Sequence, residues 1–446
     1  MKTEHNIVRG ELMKSIWNND VKLHRFEPLN GDVKTDVLII GGGLCGILCA
    51  YMLKEAGVDC ILVEADRICA GTTNNTTAKI TFQHGLIYDK LIRKYGAEKA
   101  QQYYMSQKRA FDRLSSLAAA MDVDFKICNS FVYSMNNRNL IERELVALSK
   151  IGCNAQFFTN TELPFDVAGA VKLENQAQFH PLKFAYAIAD KLKIFENTKV
   201  LEIESHTATT NNGKITAKKF IVATHFPFIN KHGGYFLKLY QHRSYVLALE
   251  NVPQIEGMYV DEAKDGLSFR SHGDLMLLGG GSHRTGEKGG NWTELKKFAE
   301  KYFPKAGIVA GWATQDCMTL DEIPYIGQYS KSTPDLYVAT GFNKWGMTSS
   351  MVSAMLLTDM ICGRKNEYTG LYLPSRSIWH RQLALNLLES VKSMITPSIP
   401  RCSHMGCALK YNKQEHSWDC PCHGSRFDRD GNIINNPAAD NIKKQK

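Results

Sequence analysis

Seven side chains that could bind a metal lie close together near the end of the 446-residue chain. They are four cysteines and three histidines: Cys402, His404, Cys407, His416, Cys420, Cys422 and His423. Within this group, a C-x-H motif and a later C-x-x-H motif together supply two thiolates and two imidazoles. Two kinds of metal centre use that ligand set: a tetrahedral zinc ion and a two-iron cluster with two histidines on one iron. The spacing therefore predicts a metal centre and leaves both kinds open.

The residues that flank these motifs favour the iron–sulfur alternative. Cys407 and Cys422 add a second cysteine to each motif, which a zinc ion with four ligands does not need. The two segments, C-x-H-x-G-C and C-P-C-H-G-S, resemble the cluster loops of respiratory-type Rieske proteins. This resemblance implies that the ligands of a [2Fe–2S] cluster are Cys402, His404, Cys420 and His423. It also implies a disulfide between Cys407 and Cys422, and closing strands in residues 426–432.

The segment before the first motif departs from the Rieske pattern. Rieske domains normally begin with several strands, whereas here only residues 396–401 separate Cys402 from a predicted helix. That helix is indicated by apolar residues spaced four apart, namely Trp379, Leu383, Leu387, Val391 and Ile395. We therefore expect a small all-β Rieske domain without its basal sheet. Either the FAD domain, which the segments described next predict, or the helix would have to cover the exposed face.

Residues 36–64 predict a nucleotide-binding unit. An apolar run at 37–40 is typical of a buried parallel strand, residues 41–46 match G-x-G-x-x-G, and a helix and a second strand follow. In this pattern Gly41 makes the tight turn, Gly43 lets a pyrophosphate approach, and Gly46 packs helix on strand. Glu64 follows Gly43 at about the 20-residue spacing expected for an acid that binds ribose hydroxyls. Such an acid disfavours NADP.

The loop after Glu64 favours FAD over NAD. Residues 70–79 are small and rich in hydroxyl groups, so they can close over a pyrophosphate. Their order resembles the FAD-dependent oxidoreductases of the D-amino-acid oxidase and glycine oxidase superfamily. Asn74 stands where glycine is usual in that superfamily, and asparagine tolerates positive φ better than most residues.

Further segments resemble the same superfamily in the same order: 199–201, 213–225, 321–327 and 336–348. In the last of them a helix would begin beneath the flavin, where its N-terminus would stabilise the reduced anion. The resemblance implies FAD contacts from Gly41, Gly43, Leu44, Cys45, Gly46, Glu64, Thr72, Thr73, Thr77, Ala78, Val200, Ala223, Thr224, Gly341, Gly346, Met347 and Thr348.

The predicted fold class is α/β. It combines a Rossmann-like FAD domain of the glutathione-reductase type, an inserted antiparallel-sheet substrate domain, and the small Rieske domain. An N-terminal extension (1–30) would precede the oxidoreductase (31–370), and a helical linker (371–400) would lead to the Rieske domain (401–446). The FAD segments would be 31–84, 171–234 and 316–370, and the substrate domain would be 85–170 and 235–315.

The superfamily places substrate contacts on the strands of its antiparallel sheet. By their position in predicted strands, the candidate substrate or catalytic residues are Arg243, Tyr245, Arg270 and His283. The second glycine run, 279–281, is not followed at once by a helix pattern. It is therefore expected to be a loop rather than a second nucleotide site.

Composition narrows the function classes. Hydrophobic residues are 44% and charged residues 22%, which is typical of a globular protein and argues against disorder. The formal charge of +9 is spread along the chain, which argues against a nucleic-acid surface. Residues 1–20 contain no signal-peptide core, and glycines interrupt the most apolar stretch, 37–53. We therefore expect a cytoplasmic protein without a membrane span, whose other eight cysteines are free thiols.

Together these patterns predict an oxidoreductase. A small amine or amino-acid-like substrate would pass a hydride to FAD, and the electrons would leave singly through the Rieske cluster. The expected partners are this substrate and a one-electron donor or acceptor protein. Two alternatives stay open: electrons could flow from cluster to flavin in a reductase or oxygenase, or the chain could be a redox-sensing module without an organic substrate.

Overall fold

A computed structural model describes residues 14–19, 21–377, 381–397 and 400–442 of the chain. The strands in these residues are, in chain order, β1 (Val33–Ile40), β2 (Cys60–Val63), β3 (Lys79–Ile80), β4 (Lys126–Ser134), β5 (Gln156–Phe158), β6 (Gly169–Gln178), β7 (Ile194–Phe195), β8 (Val200–Glu204), β9 (Thr207–Thr210), β10 (Gly213–Val222), β11 (Leu239–Glu250), β12 (Met258–Asp261), β13 (Ser268–His272), β14 (Leu275–Arg284), β15 (Gly307–Thr319), β16 (Tyr325–Gln328), β17 (Leu336–Thr340), β18 (Lys410–Asn412), β19 (Ser417–Asp419), β20 (Arg426–Phe427) and β21 (Ile433–Asn435).

The helices in the same residues follow a short 3-10 helix at Ile16–Asn18. They are α1 (Leu44–Glu55), α2 (Ile87–Tyr95), α3 (Ala97–Ala119), α4 (Arg138–Lys150), α5 (Pro181–Ala189), α6 (Tyr235–Lys238), α7 (Asn291–Tyr302), α8 (Gly346–Ile361), α9 (Thr369–Tyr372) and α10 (Arg381–Ile395). None of the helices in the described part of the chain combines the length and apolar composition needed to cross a membrane.

The first sheet is the nucleotide-binding one, with the strand order β16–β17–β10–β1–β2–β7 and the hairpin β8–β9 beside β10. β17, β10, β1, β2 and β7 run parallel. The strand, turn, helix and strand predicted for residues 37–63 are confirmed as β1, α1 and β2. Because parallel strands end at one edge, the segments that follow β1, β2, β10 and β17 meet there, where such sheets bind ligands.

The second sheet has the order β15–β11–β14–β13–β12–β4–β6–β3, with β5 beside β6. Its neighbouring strands are antiparallel except β4 and β12, which confirms the predicted inserted sheet. The expectation of a loop at 279–281 was wrong, because these glycines lie inside β14, opposite β11. They are needed for close packing: a Cβ at Gly280 would lie 2.5 Å from the Leu267 side chain.

The C-terminal domain is a four-stranded antiparallel sheet, β18–β19–β20–β21. Among the described residues between α10 and Cys402 there is no strand other than the isolated bridge of Arg401 with Ala408. The helix before it is confirmed as α10, but Trp379 of the predicted stripe lies outside the described residues. Leu383 of that stripe is buried, whereas the remaining apolar residues are exposed, namely Leu387, Val391 and Ile395.

The buried side of α10 is polar at two positions. Asn386 accepts a hydrogen bond from Arg284 (2.9 Å), and the Ser393 carbonyl accepts one from the Ala408 N–H (3.1 Å). The helix therefore uses this side to bind the antiparallel sheet and the first cysteine motif. Because the buried side supplies the Asn386 side chain as an acceptor for Arg284, it is not the apolar stripe that the sequence predicts.

The described part of the N-terminal extension packs into the core. Trp17 is fully buried, and its indole N–H donates a hydrogen bond to the Thr76 carbonyl (2.8 Å). The Arg270 guanidinium lies over the Trp17 ring, 5.5 Å from its centre. This segment therefore supports the loop that was expected to close over FAD.

Candidate functional site

The glycine turn after β1 has the shape that a pyrophosphate requires. A Cβ at Gly46 would lie 2.0 Å from the Gly41 carbonyl oxygen, so α1 packs directly on the turn. A Cβ at Gly43 would instead have a single neighbour within 4 Å among the described residues, Thr73 Oγ1 at 3.5 Å. That oxygen also accepts a hydrogen bond from the Leu44 N–H (3.0 Å) at the start of α1. The open side of Gly43 therefore fits a phosphate at a helix N-terminus.

Glu64 lies where the sequence predicts it, directly after β2. Its carboxylate accepts hydrogen bonds from the backbone N–H groups of Gly42 (2.7 Å) and Asp66 (3.1 Å). Burial raises the pKa of Glu64, and these hydrogen bonds lower it in part. The carboxylate is thus held at the edge of the sheet beside the glycine turn.

Other predicted FAD contacts gather at the same edge. Ala223 and Thr224 follow β10, Gly341 follows β17, and Gly346, Met347 and Thr348 begin α8, whereas Val200 lies on the hairpin strand β8. Cys45 is buried in the first turn of α1. In the loop after β2, Thr72 Oγ1 donates to the Gln315 carbonyl (3.2 Å), and the Thr77 and Ala78 carbonyls accept from Arg270 (2.7 and 3.0 Å). These residues could hold FAD, and their individual contacts stay predictions.

The alternation of β11 and β15 separates two faces of the second sheet. Trp312 of β15 donates a hydrogen bond to the Asn75 carbonyl (3.0 Å), so its face is turned towards the nucleotide-binding loop. Asp316 lies four residues after Trp312 on β15, so the two side chains point to the same face. His242 of β11 is the direct cross-strand partner of Asp316. Both side chains are half-buried. The nucleotide side of the sheet therefore carries an acid and an imidazole.

Lys344 reaches this face from the loop between β17 and α8. The loop is fixed because the Asn343 N–H donates to the Cys317 carbonyl (3.1 Å) and Asn343 Oδ1 accepts from the Thr319 N–H (2.8 Å). Lys344 Nζ donates to Ser282 Oγ (3.0 Å) of β14. The Lys344 side chain is accessible, yet desolvation lowers its pKa, as expected for a group in a recess. We name Asp316, His242, Lys344 and Ser282 the charged recess.

The charges in the recess influence each other without pairing. Burial raises the pKa of Asp316 to about 6, although Lys344 and Arg243 lower it in part. Burial lowers the pKa of His242 to about 3, and its Nδ1 atom is buried without a hydrogen-bond partner in the described structure. Among the described residues, Asp316 and Lys344 form no ion pair, although each acts electrostatically on the other. The recess can therefore offer an acceptor and a donor to a ligand.

Three of the four candidates from the sequence lie on the other face of the sheet. Arg243 Nε donates to Glu415 Oε1 (3.1 Å), and the Tyr245 hydroxyl donates to the same oxygen (3.0 Å). His283 Nε2 lies 3.0 Å from the Tyr245 hydroxyl. These residues meet the C-terminal domain, whereas Arg270 lies apart from them at the loop after β2.

Asp316, His242 and Lys344 lie in no motif that would mark them as functional residues. The alternation of β11 was visible, because His242 and Arg243 necessarily point to opposite faces. Which face meets the nucleotide depends on packing between distant segments. Trp312, whose side chain lies on the same face as that of Asp316, is the sequence feature that could have identified the nucleotide side of the sheet.

The two cysteine–histidine motifs form adjacent tight loops. The Gly406 N–H donates to the Cys402 carbonyl (2.9 Å), and the Gly424 N–H donates to the Cys420 carbonyl (3.0 Å). The rings of His404 and His423 lie 5.1 Å apart and are nearly perpendicular. The two loops therefore bring both predicted imidazole ligands to one place.

The chemistry of these residues fits a metal cluster. Both histidines have a buried Nδ1 atom without a hydrogen-bond partner among the described residues. Burial lowers the pKa of His404 and of His423 to about 4, so both imidazoles are neutral and can bind a metal. The thiol of Cys402 interacts with that of Cys420. Two thiols and two orphaned imidazole nitrogens are the donors that a Rieske cluster requires.

Cys407 and Cys422 also lie in this group. Their sulfur atoms and that of Cys420 are all within 4.8 Å of one another. All twelve cysteines are unbridged in this structure. The disulfide between Cys407 and Cys422 therefore stays a prediction, and the three neighbouring thiols make it sterically accessible.

Comparison with known protein families agrees with this site. The family pattern DAO, FAD dependent oxidoreductase, matches residues 36–360. The chain belongs to the DAO family of FAD-dependent oxidoreductases. The Rieske [2Fe-2S] domain pattern matches residues 376–446 of this oxidoreductase, a span that includes α10. FAD and a [2Fe–2S] cluster are therefore its cofactors.

Individual relatives support the same two-part organisation. YhfW of Bacillus subtilis (strain 168), which is named as a Rieske 2Fe-2S iron–sulfur protein, is 32% identical over 97% of this chain and 98% of its own length. Gamma-glutamylputrescine oxidoreductase of Escherichia coli (strain K12) is 24% identical over 76% of this chain and 86% of its own length.

Solved structures share the fold of the first part. Glycine oxidase from Geobacillus kaustophilus superposes with a TM-score of 0.65 at 19% identity, covering 77% of this chain and 99% of its own. L-proline dehydrogenase from P. horikoshii superposes with a TM-score of 0.66 at 18% identity, covering 78% of this chain and 98% of its own.

Proposed function

We propose that this Rieske oxidoreductase oxidises a small amine or amino-acid-like substrate in the charged recess. FAD, when bound, would supply an acceptor for a hydride from the carbon that carries the amine, and the cluster would supply single-electron exchange with a partner protein. The observation that carries the proposal is the pair of unpaired opposite charges, Asp316 and Lys344, on the nucleotide side of the antiparallel sheet.

Each charge of the recess has a role towards such a substrate. Asp316 would accept hydrogen bonds from a cationic amine, which offsets the cost of keeping a half-buried carboxylate ionised, and would take the proton that the amine must lose before its carbon gives up a hydride. Lys344 would donate to an anionic or carbonyl group of the same molecule. The uncharged His242 would orient the substrate by a hydrogen bond to its Nδ1 atom. One relative is named gamma-glutamylputrescine oxidoreductase, and this name supports an amine-bearing substrate.

The contacts between the two halves of the chain support the relay of electrons. The Asn436 side chain of the Rieske domain donates to the Thr224 carbonyl (2.6 Å), directly after β10 in the expected FAD site. Lys199, next to Val200, donates to the Ala439 carbonyl (2.8 Å). A Rieske domain held against the FAD site needs no second protein to exchange electrons with the flavin.

The proposal is tested by anaerobic reduction of the flavin, followed by its absorbance, with a panel of amines and amino acids. At least one member should reduce the wild-type flavin rapidly. Loss of a charged hydrogen-bond partner in Asp316→Asn should slow reduction by the same compound, at concentrations below saturation, about tenfold to a hundredfold. Asp359→Asn, which removes a carboxylate bonded to Arg364 far from the recess, is the matched control. Reduction by no member of the panel, or equal rates in both variants, would contradict the proposal.

A further inference from the structure

Side chains of the oxidoreductase part of the chain bind the second cluster loop, which carries Cys420 and His423. Arg284 donates from Nε to the Pro421 carbonyl (3.0 Å) and from Nη2 to the Cys422 carbonyl (3.0 Å). Gln241 donates to the carbonyl of His423 (2.9 Å), and Gln315 donates to that of Gly424 (2.8 Å). Four successive backbone carbonyls are thus bound by three side chains of the antiparallel sheet.

The two glutamines act as one unit. Gln315 Nε2 also donates to Gln241 Oε1 (2.7 Å), and Gln315 Oε1 accepts from the Thr285 hydroxyl (3.3 Å). Gln241 Nε2 additionally donates to the Asn436 carbonyl (2.9 Å). Both glutamines are buried. Because every polar atom of this buried pair is bonded, the pair specifies a single arrangement of the loop.

The loop fits closely against this pair. Gly424 has a left-handed φ of 86°, and a Cβ there would lie 2.5 Å from the Gln241 side chain. A Cβ at Gly286, on the sheet side, would lie 2.6 Å from the Pro421 nitrogen. The contact between cluster loop and sheet is therefore as close as packing inside a domain.

Gln315 of this pair also contacts the FAD side. The backbone carbonyl of Gln315 accepts a hydrogen bond from Thr72 Oγ1 (3.2 Å), in the loop expected to close over FAD. Gln315 therefore binds the cluster loop with its side chain and the FAD loop with its backbone. A displacement of this residue would move both loops.

We propose that Gln241, Gln315 and Arg284 are positioning residues that replace the missing basal sheet and hold the cluster in one fixed position relative to the flavin. The role rests on the proposed electron exchange between flavin and cluster. With the cluster held in this position, electrons pass between flavin and cluster within one chain, and the Rieske domain does not need to move. Groups that bind the ligand loops also tune a cluster, so the three side chains set its reduction potential.

The experiment uses the complete protein with both cofactors. In Gln241→Leu/Gln315→Leu the four loop carbonyls keep only the bonds of Arg284, and the side chains stay similar in volume. Gln315→Glu is the second variant, because it keeps an acceptor for Thr285 and replaces the amide donor by a carboxylate oxygen that faces Gln241 Oε1 and the Gly424 carbonyl. Gln328→Leu, which removes an amide bond to the Ser330 carbonyl (2.8 Å) elsewhere, is the matched control.

Three quantities are measured: cluster content, the cluster's reduction potential and EPR signal, and the rate at which light-reduced flavin passes electrons to the cluster. We expect unchanged cluster content, a shifted potential, and transfer slowed at least about tenfold in the double variant, since three hydrogen bonds from these side chains to the Rieske domain are lost. The control should match the wild type. A potential and a transfer rate equal to those of the wild type in both glutamine variants would overturn the positioning role.

The use of light removes the dependence on substrate. If the wild-type flavin passes no electrons to the cluster, the proposed relay is wrong, while a shifted potential and EPR signal in the variants would still support positioning. If the wild-type flavin does pass electrons to the cluster, and both glutamine variants keep the wild-type potential, EPR signal and transfer rate, only the positioning role is contradicted.

Discussion

Arg243 of the antiparallel sheet and Glu415 of the Rieske domain form a buried ion pair. Glu415 also binds Arg426 (2.8 Å) within its own domain, and Arg426 binds Asp419 (2.9 Å). All four side chains are at least nine-tenths buried. The network therefore joins the two parts of the chain through fully desolvated charges, each of which depends on its partners while it stays buried.

Removing one partner of this network should be costly. We expect Glu415→Ala to lower the free energy of unfolding by about 3–5 kcal/mol, because two arginines stay buried without their shared carboxylate. Thermal or denaturant unfolding measures this change. Glu202→Ala, which removes an exposed partner of Lys231, is the control and should change stability by less than about 1 kcal/mol. Equal effects of the two variants would contradict the buried network.

The same pair predicts a dependence of stability on pH. Burial opposes ionisation of Glu415, but Arg243 and Arg426 lower its pKa to about 2, from 4.5. A carboxyl whose pKa is lower in the folded than in the unfolded protein stabilises the folded state at pH values above its unfolded pKa. This stabilisation is lost as the pH falls through the pKa of the folded state. The stability difference between wild type and Glu415→Gln should therefore be constant above about pH 5 and shrink from pH 4.5 towards 2. A difference independent of pH over this range would refute the assignment.

Two glycines of the nucleotide turn should respond differently to alanine. At Gly43 the added methyl has room in the protein but occupies the space expected for a pyrophosphate, so the apo fold should survive and FAD should be lost. At Gly46 it would lie 2.0 Å from a backbone oxygen, so stability should fall. FAD content and the melting temperature of the apoprotein distinguish the variants. Normal FAD content in Gly43→Ala would show that the phosphate lies elsewhere.

Each predicted cluster ligand should be required separately. Cys402→Ser, His404→Ala, Cys420→Ser and His423→Ala should each abolish the EPR signal of a histidine-ligated [2Fe–2S] cluster and retain FAD. His416→Ala is the control, because this exposed residue is bonded to Arg429 rather than to either loop. Iron and sulfide analysis completes the test. One zinc ion per chain, without iron or sulfide, would exclude the Rieske assignment.

The disulfide between Cys407 and Cys422 can be tested in the isolated, cluster-loaded protein. Alkylation followed by mass mapping should find both thiols protected until reduction. Replacing both by serine should leave the cluster able to assemble but quicker to bleach on warming, since closing a loop of about 15 residues is worth about 3 kcal/mol. Labelling of both thiols without reduction would show that they are packed free cysteines.

Protonation of Asp316 should weaken substrate binding. Its pKa of about 6 results from burial, opposed by Lys344 and Arg243, while His242 stays neutral in this range because its pKa is about 3. The KM for an amine-bearing substrate should rise as the pH falls below about 6, where the carboxylate takes a proton and no longer attracts the ammonium group. In Asp316→Asn this change should be absent, and its persistence would assign the titration to another group.

The sequence patterns predict those features that depend only on residues close together in the sequence. The turn at Gly41 and the two cluster loops are local, because glycines and ligands at fixed spacing determine them. The glycines of β14 and the exposed apolar residues of α10, such as Leu387, were not predictable in this way. Leu267 sets the environment of Gly280, and the hydrogen bond from Arg284 to Asn386 fixes which side of α10 is buried.

The face of β11 is the most instructive case. The position of Arg243 and Tyr245 on a strand predicts substrate contacts, whereas in the structure both side chains bind Glu415. A period of two determines which residues share a face, but only the contact with a distant segment determines what that face meets.

This alternation also limits how the protein could have evolved. On β11, Gln241 and Arg243 bind the Rieske domain, while His242 between them lines the recess on the nucleotide side. Inserting or deleting one residue in the strand would exchange the two faces and damage both sites together. The cluster domain is therefore not a module that recombination could replace freely, and the two halves are expected to have been inherited and to have diverged as one unit.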